Sequence, residues 1–114
     1  QYAPIKIKYA IKRYTDEVNR LYGVMNKQLK KNEYLSGRYS IADMACWGWI
    51  IPWKNQGQKI SDFPHLKRWF EKVGQRPAVI KGFAAGKEMR KQLLSENTKE
   101  AKKAKSILFN QRSR

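Results

Sequence analysis

A chain of 114 residues, 41% of them hydrophobic and 12% aromatic, can build one core but not two, and its composition excludes a disordered polymer. Cys46 is the only cysteine, which rules out an internal disulfide and points to a reducing compartment such as the cytoplasm. No apolar run approaches the roughly 20 residues needed to cross a bilayer, so no membrane association is expected. The net charge of +16 attracts polyanions, but it is spread evenly and comes from 17 Lys against 8 Arg, so a solvated basic surface is a stronger reading than a nucleic-acid site.

Taken in order, residues 1–5 read as a linker, with Pro4 favouring an extended or helix-start conformation. Ile7, Ile11, Tyr14, Val18, Leu21, Met25 and Leu29 then recur at spacings of three and four, which predicts one apolar stripe on a long helix ending near residues 31–32. Lys8, Lys12, Asp16, Glu17, Arg20 and Lys27 occupy its other face. Gly23 interrupts it at a cost of about 1 kcal/mol relative to Ala and suggests a close helix–helix approach. Residues 34–39 form a short loop turning at Gly37.

Residues 41–53 contain a single charged side chain, Asp43, and predict a helix that is apolar all round and therefore central. Ser40 and Asp43 have the spacing of a capping box, and Tyr39 and Met44 that of a hydrophobic staple. An isolated acid in apolar surroundings is also a candidate catalytic group. With Ser40 correctly placed, the capping role is the better account. Pro52 marks the far end or a kink. Cys46, inside this stretch, reads as a small buried hydrophobe rather than a nucleophile. Trp47, Trp49 and Trp53 read as core before they read as pocket lining.

Residues 54–59 form a polar loop around Gly57, after which Asp62 and Pro64 open a helix with Leu66, Trp69, Phe70 and Val73 facing inward. His65, the only histidine, is a helix-start residue with no second ligand at metal spacing, so no metal is expected. Arg76-Pro77 closes this helix and opens another, which Gly82 and Gly86 weaken. Residues 87–114 form a basic, partly helical tail whose last apolar cluster is Ile107, Leu108 and Phe109. With no strand alternation anywhere, an all-α bundle of four or five helices is expected.

Several of these segments, in this order, resemble the C-terminal helical domain of cytosolic glutathione transferases: SIAD entering an apolar helix, DFPHLKRWFEKV, and RPAV. Finer matches (YAIKRYTDEVNRLYGVMNKQL, YLSGRYSIADMACWGWI, PW and ILFNQR) are similar to the nu-class branch, which includes bacterial glutathione-dependent disulfide-bond reductases and is related to a yeast nitrogen-regulating prion protein. The resemblance implies a helical domain over residues 6–86, in which the Ser40–Asp43 box is a folding element. It also implies a preceding thioredoxin-like domain and a first helix, neither within this stretch, and a homodimer in the complete protein.

The resemblance further implies that glutathione is the co-substrate and that Arg13, in the KRY segment, reaches glutathione bound mainly by the partner subunit. A guanidinium clamping a carboxylate suits that role. The competing account is a surface cation paired with Asp16 or Glu17. No catalytic residue is assigned to this stretch. The complete protein is expected to conjugate glutathione or to reduce disulfides with it, and this domain alone to be inactive. Two other expectations are a non-catalytic helical interaction module, bound to RNA or the ribosome through its charge, and a glutathione-binding regulator with little transferase activity.

Overall fold

The described residues form four α-helices and one 3-10 turn: α1 (Lys8–Lys31), α2 (Ile41–Ile50), the turn Ile60–Asp62, α3 (Pro64–Gly74) and α4 (Pro77–Leu93). This computed structural model describes the backbone of residues 5–93 and 103, and the side chains of residues 5–87 and 103. Residues 1–4 of the expected linker over 1–5, and the cluster of Ile107, Leu108 and Phe109, lie outside the described residues. Two isolated bridges at Tyr34–Gly37 and Ser36–Arg38 are the nearest approach to a strand among the described residues, so the fold is all-α. The chain divides into two units, Gln1–Gln75 and Arg76–Arg114.

In the first unit, α3 is the organising helix, packed against both α1 and α2. Leu66, Trp69 and Val73 recur at three and four and are fully buried, while Phe70 stacks on Trp47 at 5.6 Å. From α1 come Tyr22 and Leu29, joined by half-buried Thr15, Val18, Met25 and Asn26. The α1 stripe expected from sequence is therefore half right. Ile7, Ile11, Tyr14 and Leu21 are exposed, Tyr14 by 71%, and Tyr22 takes the inward place expected of Leu21. Tyr22 earns it by packing edge-on against Phe63 at 5.6 Å and donating to Gln56 Oε1 at 2.6 Å.

The central helix also departs from expectation. It stops at Ile50, with turns over residues 51–57, and among its residues only Asp43 and Ile50 are buried. Ile41 and Trp49 are 81% and 76% exposed. A helix apolar all round needs neighbours on every side, and α3 supplies one side. Met44, expected to staple onto Tyr39, is itself exposed, and Tyr39 packs edge-on against Tyr34 instead. Gly23 permits no close approach: a Cβ there would meet nothing within 4 Å.

The loop after α2 is held to α1 by two glutamines. Buried Gln58 donates to the Thr15 carbonyl at 2.9 Å and accepts from Asn19 Nδ2 at 3.0 Å. Gln56 accepts from Tyr22 and donates to the Trp49 carbonyl at 3.0 Å. Gly57, at φ +69°, makes the turn that brings them there, and a Cβ at this position would sit 3.3 Å from Thr15 Cγ2.

In the second unit, Pro77 occupies the first position of α4, where its missing N–H is not needed. The helix continues through Gly82 and Gly86. Each glycine weakens it by about 1 kcal/mol relative to Ala without ending it.

Candidate functional site

Two places carry the residues singled out from sequence: an open cleft on α1, and a buried carboxylate at the start of α2.

The cleft, of about 380 Å³, is lined by Tyr9, Lys12, Arg13, Asp16, Glu17 and Arg20, all presented by one face of α1. Its charges are mostly paired. Lys12 Nζ lies 2.5 Å from Asp16 Oδ2. Arg20 grips Glu17 with two hydrogen bonds, Nη2 to Oε1 at 2.7 Å and Nε to Oε2 at 2.9 Å. That bond holds the Glu17 carboxyl below its ordinary range, with a smaller lowering from the positive charge of Arg13. The same contact pushes the Arg20 guanidinium up. Arg13 has no hydrogen-bond or ion-pair partner among the described residues. The pairing with Asp16 or Glu17 that would have made it an ordinary surface cation is absent, because each acid is held by another cation. What remains is an exposed guanidinium fork with five donors, the shape that recognises a carboxylate in two-point contact.

Asp43 is fully buried, and each of its carboxylate oxygens is used. Oδ2 accepts from the Ser40 backbone N–H at 2.9 Å, and the Ser40 side chain takes part in the capping box at the start of α2. Oδ1 accepts from the Leu35 N–H at 3.0 Å and from the Trp69 indole at 2.7 Å. One carboxylate thus ties together the loop before α2, the helix cap and the core of α3. A group so fully engaged and fully buried has the character of a structural joint rather than of an acid or base.

The remaining candidates scatter. Trp47 donates its indole N–H to the Phe70 carbonyl at 2.9 Å and lies against Gly74, whereas Trp49 faces outward and half-buried Trp53 has Lys54 5.3 Å over its ring. Cys46 is half-buried and free. The His65 backbone N–H donates to Asn26 Oδ1. Among the described residues no three potential ligands cluster for a metal, and no helix is long and apolar enough to cross a membrane.

Other contacts that hold the helices together were not visible as motifs. Asn26, on α1, accepts from the His65 and Leu66 N–H groups at 2.9 and 3.0 Å and so caps α3 from outside. Arg68, on α3, donates to the Leu29 and Asn32 carbonyls at 2.7 and 2.9 Å and caps the end of α1 in return. Nearby, Lys72 pairs with Glu33 and stands 5.5 Å over the Tyr34 ring. The only sequence signal for these pairs was an Asn inside a helix, where it is a poor helix former and needs another reason to be present.

Comparison with known proteins places this geometry in context. Residues 6–77 match the family model of the glutathione S-transferase C-terminal domain. The chain is 47% identical over 78 residues to the disulfide-bond oxidoreductase YfcG of Escherichia coli K12, covering 68% of this chain and 36% of that protein. It is 42% identical over 89 residues to the disulfide-bond oxidoreductase YghU of the same organism, covering 71% and 31%. Protein URE2 of Saccharomyces bayanus is 29% identical over 114 residues, covering 67% and 32%. The chain thus spans about a third of the length of these relatives. The alternative of a non-catalytic, RNA-bound module draws no support from them.

Proposed function

The chain belongs to the glutathione S-transferase family as a C-terminal domain, and from that premise we propose that the complete protein is a glutathione-dependent oxidoreductase of small disulfides. Conjugation of glutathione to an electrophile is the related chemistry that the same ligand would support. The observation that carries this reading is Arg13, without an ion-pair partner among the described residues, at a cleft whose other charges are paired, in a chain with two relatives named disulfide-bond oxidoreductases.

In this reading Arg13 receives a carboxylate of glutathione in a charge-assisted fork. The thioredoxin-like domain expected before this one supplies the rest of the site, and a homodimer brings Arg13 to ligand held by the partner subunit. The reaction is thiol–disulfide exchange. A glutathione thiolate attacks one sulfur of the substrate disulfide, forming a mixed disulfide and releasing a thiolate. A second glutathione thiolate then attacks the glutathione sulfur of the mixed disulfide, giving oxidised glutathione and the second substrate thiol. The protein positions the ligand's own thiolate and stabilises its charge. Cys46 takes no covalent part. The cytoplasm, with its reducing glutathione pool, suits this direction of exchange.

The test is glutathione binding and disulfide reduction by the complete protein with Arg13→Ala. Loss of a charged hydrogen-bonded contact is expected to weaken binding by about 1.5–3 kcal/mol, roughly ten- to over a hundredfold. An unchanged affinity returns Arg13 to the surface and removes the basis of the reading.

A further inference from the structure

We propose that Lys12 and Arg20 are positioning residues for the ligand site on α1, each occupying a carboxylate that would otherwise close on Arg13. The inference rests on the reading of Arg13 as a carboxylate ligand and goes further, by naming what keeps it available.

Helix geometry sets up the competition. Side chains three and four positions apart are neighbours, so Arg13 has Asp16 in reach at i+3 and Glu17 at i+4. An arginine flanked by two acids would ordinarily spend part of its time paired with one of them. Here Asp16 Oδ2 is held by Lys12 at 2.5 Å, from the same N-terminal side as Arg13, so the two cations compete for one acid. Glu17 is held by Arg20 through both of its oxygens, which takes up the edge where a second two-point fork would fit best. The i, i+4 spacing puts Arg13 and Glu17 within reach of each other, and the charge of Arg13 adds slightly to the lowering of the Glu17 carboxyl.

The consequence for binding follows from populations. If an internal acid occupies Arg13 for a fraction of the time, the apparent affinity for an incoming carboxylate falls in proportion to the fraction left free. An exposed intrahelical pair is weak, so each released acid would occupy Arg13 about half the time. The Lys12 and Arg20 pairs are exposed as well and hold their acids only part of the time, so removing one cation should weaken binding by less than about twofold, and removing both by about twofold. Neither Lys12 nor Arg20 needs to touch the ligand. Their contribution is to leave a polar face on which, among the described residues, Arg13 is not drawn into an ion pair.

The experiment is titration calorimetry of glutathione against the complete protein, with thermal unfolding recorded for each variant to show that it is folded. Four variants are compared with wild type: Arg13→Ala, Lys12→Ala/Arg20→Ala, Asp16→Asn/Glu17→Gln, and the combination of the last two pairs. Arg13→Ala should lose about tenfold or more, and the double cation variant about twofold. Adding the amides to that double variant should restore the affinity. The gain from the amides should be about twice as large there as in wild type, where the acids are occupied part of the time.

Equal gains in both backgrounds would show a bulk charge effect and overturn the proposal. A wild-type affinity in the double cation variant would also overturn it while leaving the role of Arg13 intact. A wild-type affinity in Arg13→Ala would overturn both together.

Discussion

Asp43 shows how much a single side chain does and how it is recognised. Its bond to Ser40 is local, three residues away, and spacing alone reveals it. Its bonds to Leu35 and to the Trp69 indole are set by the tertiary fold, and nothing in the order of residues announces them. Replacing it with Asn keeps the shape but turns an NH2 toward an N–H donor on one side. Asp43→Asn should therefore cost about 2–3 kcal/mol, the worth of a hydrogen bond to a charged group plus the unpaired donor it leaves behind. Urea unfolding measures this, and a loss under 0.5 kcal/mol would mean the carboxylate is not the joint described. Arg13 marks the opposite limit. The sequence presents it with two acids within reach, and the structure finds both engaged elsewhere, because pair preference on a helix depends on four charges at once.

At the scale of elements, the reciprocal capping of α1 and α3 explains why these two helices hold the fold. The start of α3 has no side-chain cap of its own: Phe63 is at the cap position and Pro64 lacks an N–H. Two of its orphan donors go to Asn26, some 39 and 40 residues earlier in the chain. Asn26→Ala should destabilise the protein by about 1–2 kcal/mol, as loss of an N-cap does, although Asn26 lies mid-helix, where Ala is the better helix former. Thermal unfolding decides between the two effects. A rise in Tm would show that propensity outweighs the cap. Helix boundaries were legible because Pro52, Pro64 and Pro77 act on their own neighbours. The caps between helices were not, since they depend on which helix lies alongside.

For the molecule as a whole, alkaline pH offers a direct probe of the packed unit. Burial pushes the Tyr22 hydroxyl up to about 12, from an ordinary value near 10. The folded protein thus keeps this proton at a pH where the unfolded chain gives it up. The associated stability is fully present below pH 10 and is lost between about 10 and 12, amounting to about 2–3 kcal/mol. Denaturation curves across that interval should show a decline that Tyr22→Phe makes shallower, and parallel declines would mean that other groups cause it. The all-α architecture was legible throughout, from periods of three and four and the absence of alternation. Which apolar faces are covered was not. Ile11, Tyr14, Ile41 and Trp49 satisfy the same periodicity as Leu29 and Leu66 yet remain exposed, because periodicity records the chemistry of a face and not its neighbour.

The mutual capping of α1 and α3 also bears on the order in time. Neither the Asn26 nor the Arg68 contact can form until the two helices meet, and closing that loop of about 40 residues carries its entropic cost before any reward. The segment that contains α2 lies wholly inside the loop. Docking of α1 on α3 is thus the step that shortens the search for everything between them. Folding speed should be set by that encounter, and α2 should condense late onto a pair of helices already joined.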